Sequence, residues 1–232
     1  ALGQPLGEAA AVLREYAGEK LDQAEITYRL HAGWFLRRVA DRSTMFSTLE
    51  AAAAIALIDE TLDDIRQAWQ WAIDNRHMVW LGLGLDGLAA YYEYKGLYHE
   101  GRDALSAAAI AAQEMGEGTL AGRLWLAEAA FRLKLGERKQ ALSSAEMVRD
   151  MADEATLTAA LLLLGRIHEH SGDYEAAIAI LEQAMRRLEA QGDSPDLAEG
   201  LGQIAHLHRQ RNAYDRSIPV YKQALAVNRR LD

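Results

Sequence analysis

The side chains best suited to chemistry lie in the C-terminal third. His168-Glu169-His170 and His206-Leu207-His208 put two imidazoles close together twice. A metal site needs three converging ligands, and residues two apart on a helix point away from each other, so neither triplet is a metal site by itself. There is no His-Glu-x-x-His and no Cys, which removes zincin-type sites, thiolate metal sites and cysteine nucleophiles. Asp63 and Asp64 are adjacent on a helical stretch and diverge, so they do not form an acid–base pair. Gly82-Leu83-Gly84-Leu85-Asp86-Gly87 has the glycines of a phosphate loop but neither the lysine nor a preceding strand. It reads as helix packing. No Ser, His and Asp arrangement has a triad signature. The chain is expected not to be an enzyme, and to hold no cofactor and no metal.

The elements that must carry these residues are helices. Half of the 232 residues are hydrophobic and a quarter are charged, a globular composition. Ala and Leu dominate and Pro occurs three times, which favours helix over sheet. The net charge of −9 makes nucleic acid and anionic membrane surfaces poor partners. No apolar run approaches the roughly 18 residues of a membrane span, and no basic segment of a signal peptide opens the sequence. These features, with the lack of Cys, lead us to expect a cytoplasmic protein.

One pattern recurs four times. Gly165, His168, Gly172, Tyr174, Ala177, Leu181 and Ala184 stand at offsets 0, 3, 7, 9, 12, 16 and 19. Ala205, His208, Asn212, Tyr214, Ser217, Tyr221 and Ala224 repeat it, as do series beginning at Ala89 and, less clearly, Ala129. The turn positions Gly96, Gly136, Gly172 and Asn212 are 40, 36 and 40 residues apart. Small residues at offsets 0, 12 and 19 allow two antiparallel helices to approach. Gly or Asn at offset 7 takes the left-handed conformation that ends the first of them. The pattern resembles the tetratricopeptide repeat, whose usual period is about 34 residues. The resemblance implies an all-α, right-handed superhelix of antiparallel helix pairs. We expect repeats at 82–115, 122–155, 158–191 and 198–231, together spanning 81–232, after an irregular helical segment over 1–80. In that segment one helix is expected before Gly18, one over Lys20 to Ala40 with Ile26, Leu30, Trp34 and Val39 buried, and one from Ser43 or Thr44 to about His77. Asp193-Ser194-Pro195 reads as a helix start, and Pro219 as a bend in the last helix.

In such an array the first helix of each repeat forms the inner surface. Its inner positions in the last three repeats carry Arg123, Leu126, Lys134, Leu162, Arg166, Glu169, His170, Gln203, His206, Arg209 and Gln210. Arg123, Lys134, Arg166 and Arg209 are fixed cations in an acidic chain, an enrichment that fits a carboxylate, a phosphate or an acidic peptide. The candidate ligand-binding set is Arg123, Arg166, Glu169, His170, Gln203, His206 and Arg209. Solvated helix faces also carry arginine, so the bland reading stands beside it. His168 and His208 are expected as half-buried packing residues. Of the aromatics, Trp69 and Tyr92 read as core, whereas Trp71 or Tyr94 can be exposed and could belong to a stacking platform with Trp80 and Tyr91.

Four N-terminal segments carry a second resemblance. Leu13-Arg14-Glu15-Tyr16-Ala17-Gly18-Glu19-Lys20-Leu21, His31-Ala32-Gly33-Trp34-Phe35-Leu36, Leu62-Asp63-Asp64-Ile65-Arg66-Gln67-Ala68-Trp69-Gln70-Trp71-Ala72 and Gly96-Leu97-Tyr98-His99-Glu100-Gly101-Arg102 keep the order and spacing of motifs in bacterial STAND-class signal-transduction ATPases. There they join the winged-helix part of a nucleotide switch to a helical-repeat sensor. The resemblance covers about residues 13 to 108 and departs from it in Trp34, Asp64 and Lys95. It implies a sensor module, monomeric as a fragment, which binds a small-molecule inducer or a protein or peptide partner. Upstream ATPase and winged-helix modules of a parent chain would receive the signal. The alternative is a general tetratricopeptide scaffold that docks peptide segments of partner proteins.

Overall fold

A computed structural model describes residues 5–149 and 153–231. Within them the chain is entirely helical apart from short turns, and it forms two compact units, 1–94 and 95–232.

The first unit holds α1 (Pro5–Ala40), a short 3-10 helix (Ser43–Ser47), α2 (Ala51–Asp59), α3 (Leu62–Asp74) and most of α4 (Met78–Lys95). The break expected near Gly18 is absent, and α1 runs through it. The single helix expected from Ser43 to His77 is instead three pieces, because the chain turns at Thr48 to Glu50 and at Glu60 to Thr61. Ser43 does not cap a helix; its hydroxyl donates back to the Ala40 carbonyl at 2.8 Å. The buried stripe of α1 is Ala32, Leu36 and Val39, at steps of four and three, while Ile26, Leu30 and Trp34 are exposed. Trp34 packs edge-on against Phe35 with a ring separation of 4.6 Å, and the Arg38 guanidinium sits 4.4 Å above its ring. The glycines of α4 explain its packing. A side chain on Gly84 would strike Leu36, and one on Gly87 would strike the Val39 backbone. Gly84 and Gly87 are therefore seats for α1 inside a helix, as the helix-packing reading requires.

The second unit holds α5 (Tyr98–Glu114), α6 (Gly118–Lys134), α7 (Arg138–Arg149), α8 (Glu154–His170), α9 (Tyr174–Gln191), α10 (Pro195–Gln210) and α11 (Tyr214–Leu231). Where the connecting residues are described, consecutive helices pair through short turns. Gly96, Gly136, Gly172 and Asn212 all have positive φ, between 58° and 78°. Offset 7 is thus a left-handed helix terminus in all four copies. Helix starts are set by side chains: Asp153 accepts from Thr156 N at 2.8 Å, Asp173 from Ala176 N at 3.2 Å and Ser194 from Leu197 N at 3.2 Å, with Pro195 at the first helical position. Helix α11 continues through Pro219. Small residues at offset 0 allow close approach: a side chain on Gly165 would meet the fully buried Leu181. One core joins Leu161, Leu181, Met185, Leu201, Ile204 and Leu207 with Ala224 and Val227; another joins Ala129, Ala141 and Ala145 with Leu163, Leu164 and Ile167. These cores are shared between neighbouring helix pairs, so each depends on the stacking of the next pair.

Candidate functional site

The first helices of the last two repeats, α8 and α10, enclose a cavity of about 220 Å³. Its floor is Ala159, Leu162 and the backbone of Gly200, and its walls are Arg166, Asp196, Glu199 and Gln203. The liners climb α8 as Ala159, Leu162 and Arg166 and climb α10 as Asp196, Glu199 and Gln203, at steps of three and four. A side chain on Gly200 would strike Met185 and touch Leu162, so this position contributes backbone only. Arg166, Asp196 and Glu199 are exposed at the rim and Gln203 is half-buried. Among the described residues, none of these side chains makes an ion pair or a hydrogen bond. Binding there would break no existing contact.

This arrangement divides the expected set. Arg166 and Gln203 line the cavity. Glu169, His206 and Arg209 form a separate cluster further along the same face. Arg209 donates to His206 Nδ1 at 3.0 Å, the Gln210 amide lies 3.0 Å from Nε2, and the Glu169 carboxylate is 3.9 Å from Nε2. A guanidinium can only donate, so Nδ1 is the acceptor in the Arg209 contact. His170 is exposed and held by its own helix, with Nδ1 2.8 Å from the Arg166 carbonyl oxygen. Arg123 lies on α6, near the Asp153 cap of α8. Hydrogen bonds from Thr156, and then the Arg123 charge, hold the Asp153 carboxyl below its ordinary range. The site therefore contains two neighbouring parts, with Arg123 and His170 outside both.

The acidic wall is the feature that reasoning from cations misses. Glu199 stands at offset −6 of its repeat, an inner position by the same rule that selects Gln203, so its signal was present in the pattern. Asp196 lies three residues earlier, in the first turn of α10.

Other candidates resolve into packing. His208 is more deeply buried than expected, at 7% exposure, and burial pushes its pKa down. His168 is half-buried, with Nδ1 3.8 Å from Asp173. Trp69, Tyr91 and Tyr92 belong to the core and Tyr94 is exposed. Trp71 and Trp80 do not form an open platform: both are half-buried around His77, which stacks on Trp80 at 4.0 Å. Asp64 lies 3.3 Å from His31 and Asp63 3.0 Å from Arg66, so the two carboxylates diverge. Glu128 is a buried carboxylate in α6. It pairs with Arg132, which also binds Glu137 at 2.9 Å, and Glu137 in turn accepts from Arg102 at 2.6 Å. Burial raises the Glu128 pKa, opposed by Ser144 and Arg132. No group of three or more His, Cys, Asp or Glu able to hold a metal occurs among the described residues, and none of their helices is long and apolar enough to cross a membrane.

Residues 156–230 match the model of the tetratricopeptide repeat family. No curated protein matches the chain by sequence. Among solved structures, MamA is similar with a TM-score of 0.58 at 13% identity, over 74% of this chain and 91% of that one. Nearly identical TPR-like repeats from Podosopora anserina, named after a kinesin light chain, give a TM-score of 0.61 at 13% identity over 85% of this chain and 98% of that one. A single-residue variant of those repeats gives 0.62 at 13% identity, over 84% and 97%. The likeness is one of fold. The described residues are all-helical with a tetratricopeptide-like fold, and residues 156–230 match the tetratricopeptide repeat family.

Proposed function

We propose that this chain is a non-catalytic interaction module that receives an inducer or a partner segment on the α8–α10 face. The observation that carries the reading is the cavity there, walled by charged side chains without partners. Its polar groups are carried on packed helices, so the backbone that bears them is set before a ligand arrives.

The finer reading is a sensor region of a STAND-class signal-transduction regulator acting in the cytoplasm. It rests on the ordered motifs from Leu13 to Arg102. In that role, ligand binding on the repeats controls a nucleotide switch built from ATPase and winged-helix modules, and regulation of transcription is one output such a switch serves. The second reading, a general scaffold that docks peptide segments, is favoured by the family match itself. The residues encoded ahead of this chain separate the two: a P-loop ATPase followed by a winged helix selects the sensor.

The shared claim is tested by a thermal-shift screen of metabolites and charged peptides, because a ligand specific for the folded chain stabilises it by RT ln(1 + [L]/Kd). Hits are then repeated on the Arg166→Glu, Arg209→Glu double variant. The expected result is loss of the shift with an unchanged helical signal and melting temperature. Wild-type binding by the double variant refutes the groove assignment.

A further inference from the structure

The α8–α10 cavity has two ends of opposite sign. Asp196 and Glu199 stand near the start of α10. Arg166 lies about two turns further along, a rise of roughly 10 Å before its side chain leans back toward the start of its helix. Between the ends lie an apolar floor, Leu162, and the Gln203 amide. An anion alone would satisfy Arg166 and meet two carboxylates. A neutral zwitterion with adjacent charges would reach one end only.

We propose that this cavity binds the carboxylate and side-chain cation of a basic amino acid, with the cation between Asp196 and Glu199 and the carboxylate on Arg166. The inference rests on the α8–α10 face being the recognition surface. The chemistry assigns each part. A guanidinium binds a carboxylate through two parallel hydrogen bonds. The four-carbon stem of lysine is apolar and covers Leu162 while its ammonium reaches beyond it. Two carboxylates against one guanidinium leave the cavity with an excess negative charge, which selects a ligand carrying an excess positive one. The Gln203 amide oxygen can accept from the α-ammonium of a free amino acid. The same carboxylate and side-chain cation occur in free lysine and in the last residue of a peptide ending in lysine; only the α-nitrogen differs.

The test is calorimetric titration of the whole chain with L-lysine, L-leucine, L-glutamate and an acetylated peptide ending in lysine. Saturable binding is expected for lysine or for the lysine-terminated peptide, with leucine and glutamate at least roughly tenfold weaker, the worth of one charge-assisted contact. Preference for lysine assigns the free amino acid as ligand, and preference for the peptide assigns a chain terminus. Arg166→Gln and Glu199→Gln should each weaken the preferred probe by roughly tenfold with the melting temperature unchanged. Absence of binding by both lysine-bearing probes overturns the inference, as does leucine or glutamate binding equally well. If glutamate or an acidic peptide binds and is lost in the Arg166→Glu, Arg209→Glu variant, the recognition face stands and the basic ligand falls. If the probes bind and both Arg166→Gln and Glu199→Gln leave them unaffected, the two fall together.

Discussion

Replacing Gly165 by Ala tests the packing rule that generates the repeats. An added Cβ would lie 2.6 Å from both Cγ and Cδ2 of Leu181, about 1 Å inside normal contact. Leu181 is 0% exposed and belongs to the core shared by α8, α9, α10 and α11, so it cannot swing into solvent. Overpacking of this kind costs about 1–3 kcal/mol, while Ala in place of Gly returns about 1 kcal/mol of helix propensity. The net expectation is a loss of up to about 2 kcal/mol. Gly202 is the matched control: it lies within α10 and a Cβ there meets nothing within 4 Å. Gly202→Ala should gain about 0.5–1 kcal/mol. Urea unfolding followed by circular dichroism reads both, and an unchanged slope with opposite midpoint shifts is expected. A Gly165→Ala protein stabilised as much as Gly202→Ala, or a Gly202→Ala protein less stable than wild type, would refute the close-approach account.

Ser194→Ala removes the cap that accepts from Leu197 N and should cost about 1 kcal/mol in urea unfolding. Burial lowers the His208 pKa, so the folded state favours the neutral ring. Its contribution is present above pH 6.5 and is lost as pH falls through the depressed folded value. The urea midpoint should drop over that range, and less so in His208→Gln. Glu128 has the opposite sign. Its folded pKa is raised by burial above 4.5, so its contribution is complete below pH 4.5 and lost as pH rises through the folded value. Glu128→Gln should flatten that part of the midpoint profile.

The repeats were legible because their signals are local and chiral. A glycine or asparagine that must adopt positive φ announces a helix end, and all four such positions behaved alike. Asp193-Ser194-Pro195 likewise encodes its own cap. The N-terminal unit was less legible, since its helix ends lack such marks: Glu50 and Thr61 begin α2 and α3 without a side-chain cap. Periodicity also identified an apolar face on α1 without fixing its rotation. Ala32, Leu36 and Val39 are inside because Gly84 and Gly87 on α4 leave room for Leu36 and Val39, a complementarity between segments far apart in the chain. At the candidate site, offsets placed Arg166 and Gln203 on one face, and both line the same cavity. They could not tell which cations had partners: Arg209 is engaged with His206, whereas Arg166 is not.

The central claim is that recognition occurs on the face shared by α8 and α10. Amide chemical-shift mapping of the isotopically labelled chain tests it most directly, using the compound that gives the largest thermal shift. The account predicts perturbations concentrated in residues 159–170 and 196–210, strongest around Arg166, Glu199 and Gln203. Perturbations confined to α9 and α11, or to the first unit around Trp71 and Tyr94, would contradict it.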